Sequence, residues 1–189
     1  MDSLEKNVAA RVAAVLVVAT AVSRIIPHPW NFTPLVAMAL FSGARLGSQR
    51  AWSWTSAASV ALPLAALVLG DVALGYFPYQ GMAWVYGATA AIALGGRLLR
   101  ERTSAGSTLG ATLVAGALFF VVTNFGVWAA GHLYERTLAG LVTCFVAALP
   151  FYGHQIVGDV VFAGALFGLH AMAVRILHGR VRARARAAG

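Results

Sequence analysis

Long apolar runs separated by arginine clusters constrain this chain more than any other feature. Runs fall at 8–26, 33–46, 52–76, 81–98, 107–130 and 154–177, with a shorter seventh at 137–149. A membrane-crossing helix needs about 20 predominantly apolar residues, so six crossings would consume most of a 189-residue chain. Composition agrees: 60% of residues are hydrophobic and only 11% charged, against about 25% charged in a soluble domain. The expected fold is all-α: a six-helix integral membrane bundle in one membrane domain, residues 1–178, ending in a basic cytoplasmic tail, 179–189. The start, with Asp2, Glu5, Lys6 and Arg11, lacks a convincing small-residue cleavage site and reads as the first helix rather than a signal peptide.

The run at 33–46 is short for a span and is expected to stand upright or thin the bilayer locally. Pro27, Pro29 and Pro34 bracket its start, and each pushes the preceding residue away from helix, so 27–34 reads as a rigid loop.

The positive charges set the orientation. With six spans, twelve of the 14 Lys and Arg residues fall on one side, and only Arg24 and Arg136 on the other. By the positive-inside rule both termini then face the cytoplasm of a bacterial inner membrane. The same distribution explains the net charge of +8 without nucleic acid. A crossing at 137–149 would put the arginine-rich C-terminus outside. That run is therefore expected to be a short outer or re-entrant helix, broken at Pro150 before the sixth span.

On this topology the unusual residues gather at the outer face. They are the loop Pro27 to Pro34, Gly70-Asp71 with the following Tyr76 to Gln80, Thr123 to Trp128, and Pro150 to Gln155 with Asp159 one turn further. Candidate ligand-binding residues are His28, Trp30, Asn31, Phe32, Asp71, Tyr79, Asn124, Trp128, His154 and Asp159. The aromatic side chains could stack on a ligand, or serve only as interfacial anchors. Asp71 and Asp159 stand out, because an ionisable residue within a span usually faces a cavity, a partner or the bundle interior. Arg24 is the rival structural partner for either.

His28, His132 and His154 share no helical metal-ligand spacing, and Cys144 is the lone cysteine, so neither a metal nor a cofactor is expected. No nucleophile elbow, zinc-protease motif or nucleotide-binding loop is present, which makes an enzyme the weaker class. Ala9 with Ala13, and Ala10 with Ala14, make small-xxx-small spacings on the first helix.

Pro27-His28-Pro29-x-Asn31-Phe32-Thr33-Pro34, Gly70-Asp71, Thr123-Asn124-Phe125-Gly126-Val127-Trp128 and Leu149-Pro150-Phe151 together resemble an uncharacterised bacterial membrane-protein family over roughly residues 20–170. That family in turn resembles the substrate-binding S components of energy-coupling-factor vitamin transporters. The resemblance implies about six helices, a ligand pocket at the outer side, and a polar residue near the outer end of the fifth helix. It also implies contact with a transmembrane coupling subunit and its ATPases through alanines placed like Ala10 and Ala14. Solitary cobalamin-binding relatives use a cysteine near the third helix, which is missing from 71–85 here. The expected function is uptake of a vitamin-like small molecule bound from the outer face. The alternatives are a structural or assembly subunit without ligand, or a membrane enzyme.

Overall fold

The structure, a computed structural model, describes residues 3–23, 31–47, 54–100 and 103–187. Among them are six α-helices and no strand: α1 Ser3–Ser23, α2 Leu35–Leu46, α3 Trp54–Ala73, α4 Met82–Gly96, α5 Ala105–Ala130 and α6 Leu138–Ala187. A 3₁₀ turn, Arg97–Leu99, prolongs α4. Four of the six, α3 to α6, are long and apolar enough to cross a membrane, α4 together with its 3₁₀ turn. The apolar part of α1, Asn7–Ser23, and the whole of α2 are shorter.

α2 is the axis of the molecule. It packs against all five other helices, which close a ring around it in the order α1, α3, α4, α5, α6. Every residue of α2 except Arg45 is buried. Its short apolar run is thus wrapped by protein on all sides. Lipid tails are as apolar as leucine, so close backbone approach and van der Waals packing drive such helices together. The crossing of α2 and α4 shows this: a Cβ on Gly43 would sit 1.9 Å from the Ala93 carbonyl oxygen, and one on Gly96 would sit 2.4 Å from that of Leu40.

Local chemistry sets the helix ends. Pro34 precedes α2, and its carbonyl accepts from Met38 N at 2.8 Å. Ser104 and Ser107 form a reciprocal capping box at the start of α5 (Ser107 N to Ser104 Oγ 3.1 Å, Ser104 N to Ser107 Oγ 2.8 Å), satisfying two N–H groups that the helix itself leaves unpaired. α4 starts after Gly81, whose φ of +83° suits a residue without a side chain.

The expected break at Pro150 is absent. α6 runs unbroken through Pro150 from Leu138 to Ala187, so 137–149 forms the first turns of the last long helix and is no separate outer or re-entrant element. Proline removes one intrahelical hydrogen bond, but in apolar helices neighbouring groups and small local adjustments accommodate that loss; Pro63 is likewise carried inside α3. α6 also passes position 178 without interruption, so the basic tail begins as more of the same helix.

One end of the bundle gathers Arg45, Arg97 and Arg100. Arg97 Nη2 donates to the Ser56 carbonyl (2.7 Å) and to Ser59 Oγ (3.3 Å), and Arg100 Nη1 to the Gly47 carbonyl (2.7 Å). Ser42 on α2 donates to the Ser59 carbonyl at 2.8 Å, tying α2 to α3. The opposite end carries the aromatic clusters described next.

Candidate functional site

α5 and α6 run antiparallel, and the seam between them buries Thr108, Thr112, Gln155 and Asp159. Thr112, Gly116, Phe120 and Asn124 recur every fourth residue on α5 and so share one face. Asp159, only 2% exposed, lies against Gly116. A Cβ at position 116 would come within 2.8 Å of Asp159 Oδ2, so glycine there makes room for the carboxylate. Gln155, one turn earlier on α6, divides its amide between the Gly116 carbonyl (3.0 Å) and Asp159 Oδ2 (3.2 Å). Asp159 Oδ1 is buried and finds no hydrogen-bond partner among the described residues.

Because α6 begins at Leu138 rather than after Pro150, Asp159 stands deeper than one turn from the outer surface. Gly116 is near the middle of α5, so the carboxylate sits at mid-bundle depth.

The loop before α2 reaches the same place. Asn31 is exposed and takes a left-handed backbone (φ +58°), a region that asparagine tolerates better than most residues. Phe32 packs on α6, with its ring 5.3 Å from that of Phe162. A Cβ on Gly158 would be 3.3 Å from Phe32 Cα. Phe32 thus packs on α6 at Gly158, the residue before Asp159. His28, Trp30 and Arg24, the rival structural partner of Asp71 or Asp159, lie outside the described residues.

Toward the aromatic end, Phe120 stacks on Tyr152 (ring centroids 4.4 Å) and meets Phe145 edge-on (5.7 Å). Asn124 spends its amide N–H on the Phe120 carbonyl of its own helix (2.8 Å), and its backbone carbonyl accepts from the Cys144 thiol at 3.5 Å. Trp128 Nε1 donates to the Glu135 carbonyl (2.8 Å), and the Arg136 guanidinium lies over its ring at 6.0 Å while donating to the Ala129 and Gly131 carbonyls. Trp84, Phe125 and Trp128 form a continuous aromatic row. Gly126 lets Trp84 lie against α5, since a Cβ there would be 2.4 Å from the indole. These contacts fasten the 131–137 connection to α5.

Asp71 is buried near the end of α3 and accepts from the Tyr86 hydroxyl at 3.0 Å. Its backbone carbonyl receives Tyr76 N and Phe77 N. Asp71 thus lies close to the aromatic end, on another level and another seam than Asp159. Tyr79 is half-buried in the α3–α4 connection, its carbonyl accepting from Met82 N. His154 is exposed, with Nδ1 3.3 Å from the Pro150 carbonyl of its own helix. No group of three or more His, Cys, Asp or Glu that could hold a metal occurs among the described residues.

The buried Gln155 and His170 are not among the candidate ligand-binding residues. Gln155 was detectable as the i, i+4 neighbour of Asp159. His170, 7% exposed, donates Nε2–H to the Ala9 carbonyl of α1 at 3.1 Å and meets the Phe41 ring edge-on at 5.5 Å. No spacing rule marks it, because its partner is 161 residues away. On α1 the fully buried alanine is Ala13; Ala10 and Ala14 are half-buried, and Ala10 packs against the core.

The fold and seam define an all-helical protein of membrane type. The chain belongs to a family of unknown function, DUF6580, whose description matches residues 4–181. No curated protein and no solved structure matches it.

Proposed function

We propose that this protein is a small-molecule-binding membrane component, with its ligand held at the α5–α6 seam and taken from the aromatic side. The observation that carries the reading is Asp159, an acidic side chain buried at mid-bundle depth with one oxygen unpartnered among the described residues. Such a group is expensive in a membrane protein, and it persists where a proton, an ion or a ligand donor answers it. Gln155 orients the carboxyl group, and Phe32, Phe120, Tyr152 and Phe162 supply apolar and aromatic surface nearby. An apolar wall with a few fixed polar groups suits a small aromatic molecule carrying an N–H donor or a positive centre. A vitamin-like heterocycle is one such molecule, in keeping with the likeness to vitamin-binding S components.

In this reading the basic end faces the cytoplasm and all six helices contribute crossings, α2 from within the ring. The bilayer and a coupling subunit with its ATPases are the expected partners. Because Ala10 is engaged in the bundle, such a subunit would meet the exposed Val15, Val18 and Val22 of α1.

The test is native mass spectrometry on protein purified from its own host in mild detergent, wild type beside Asp159→Asn. A stoichiometric small molecule in the wild type, absent from a folded Asp159→Asn protein, supports the reading. A folded wild type that carries nothing in any detergent, or a compound held equally by both proteins, overturns it.

A scaffold without ligand is the second reading. It draws support from Asn124 and Trp128, whose side-chain N–H groups bond to backbone carbonyls of the chain itself. It requires Asn124→Ala and Trp128→Phe to lower thermal stability while no compound copurifies.

A further inference from the structure

A groove of 440 Å³ runs between α5 and α6 from Arg45 and Ser104 at the basic end up to Thr112 and Val160. Its walls include the apolar Leu109, Val160 and Phe167, and its polar side is made by Arg45, Ser104 and Thr108. Gly164 and Gly168 on α6 leave it open, since a Cβ on either would meet nothing within 4 Å.

Arg45 differs from its neighbours at this end. Arg97 and Arg100 donate to the carbonyls of Ser56 and Gly47. Arg45 instead lies over the Phe167 ring at 5.2 Å, and its buried Nε, like that of Arg97, has no hydrogen-bond partner among the described residues. A guanidinium is always charged and presents its donors in a fork that matches phosphate oxygens. A cation at the headgroup end of an apolar, membrane-facing groove is complementary to a molecule with an anionic head and a hydrocarbon tail.

We propose that this groove holds one anionic membrane phospholipid, with its phosphate on Arg45 and an acyl chain along Leu109 and Val160. Basic pockets between membrane helices bind anionic headgroups by the same chemistry. The inference does not depend on the ligand reading at Asp159.

The test uses the full chain, stripped of copurified lipid and titrated with phosphatidylglycerol or with phosphatidylcholine of the same chains, and read by native mass spectrometry. Wild type should take up one phosphatidylglycerol at a concentration lower than phosphatidylcholine by about fivefold or more, the factor that one cation near an anionic headgroup contributes. Arg45→Gln should equalise the two lipids. Gly168→Leu, which fills the groove and keeps the cation, should lose the bound lipid. Both variants are first checked for an unchanged melting transition; if Arg45→Gln fails to fold, Gly168→Leu decides alone.

A wild type without headgroup preference overturns the proposal. So does a preference that survives Arg45→Gln, which would assign it to the arginines of the C-terminal end, or one that survives Gly168→Leu. Inorganic phosphate that binds alone and displaces the lipid would show that the cation serves a free anion, and would equally overturn it.

Discussion

Glycine positions separate close packing from open space in this protein. Gly43 faces the α4 backbone at a distance that no Cβ can share, whereas Gly164 faces nothing within 4 Å. Gly43→Ala should therefore destabilise the bundle by about 1–3 kcal/mol, the usual cost of overpacking. Gly164→Ala should be neutral or stabilising by up to about 1 kcal/mol, because alanine is the better helix former. Thermal melts of the two variants in one detergent check the pair; equal behaviour would contradict the α2–α4 crossing. At the seam, Gln155→Ala removes the amide shared by Gly116 and Asp159. It leaves two buried acceptors short of a donor, at a cost of about 1–3 kcal/mol. The same melts report that loss. Of the residues marked from sequence, Asp159 lies against Gly116 of α5, Phe32 packs on Gly158 and Phe162 of α6, and Asp71 belongs to a separate seam with Tyr86. Their types were legible because charge and bulk are rare in apolar runs. Which of them are neighbours was not, since that depends on register between helices.

At the scale of the element, α6 differs most from expectation. The apolar runs 137–149 and 154–177 both fall in it, yet Pro150, a break by sequence rules, sits inside the continuous helix, and the basic segment beyond 178 extends it. A proline ends a helix in water readily because solvent donates to the freed carbonyl; in an apolar setting, leaving helix exposes more unpaired groups than staying in it. The unbroken helix makes a geometric prediction. Spin labels at the exposed positions Val142 and Arg175 should lie about 50 Å apart, at 1.5 Å of rise per residue. A much shorter distance by pulsed dipolar spectroscopy would restore the re-entrant element. α2 was visible as a short apolar run flanked by prolines, but its burial on all sides was not, since a lipid-facing and a protein-facing apolar helix use the same residues.

Among the described residues five helices ring a sixth, with Arg45, Arg97 and Arg100 at one end and the row Trp84, Phe125 and Trp128 at the other. The placement of charge predicts that the basic end faces the cytoplasm. An impermeant thiol reagent applied to intact cells should label His132→Cys, an exposed position at the aromatic end, and should spare Arg180→Cys. The native Cys144 is buried, so its background should be low. The reverse labelling pattern would invert the orientation and put the Asp159 seam within reach of the other compartment. The sequence alone determined the helical class, the apolar segments and the gathering of arginine between them, because each follows from local composition and from the cost of placing charge in hydrocarbon. Only the tertiary structure decided that α2 is the axis, that α6 is continuous, and that Asp159 stands at mid-depth beside Gln155 and Gly116. Those facts depend on how closely backbones approach one another, and such approach is set by glycines and alanines whose partners lie far away in the chain.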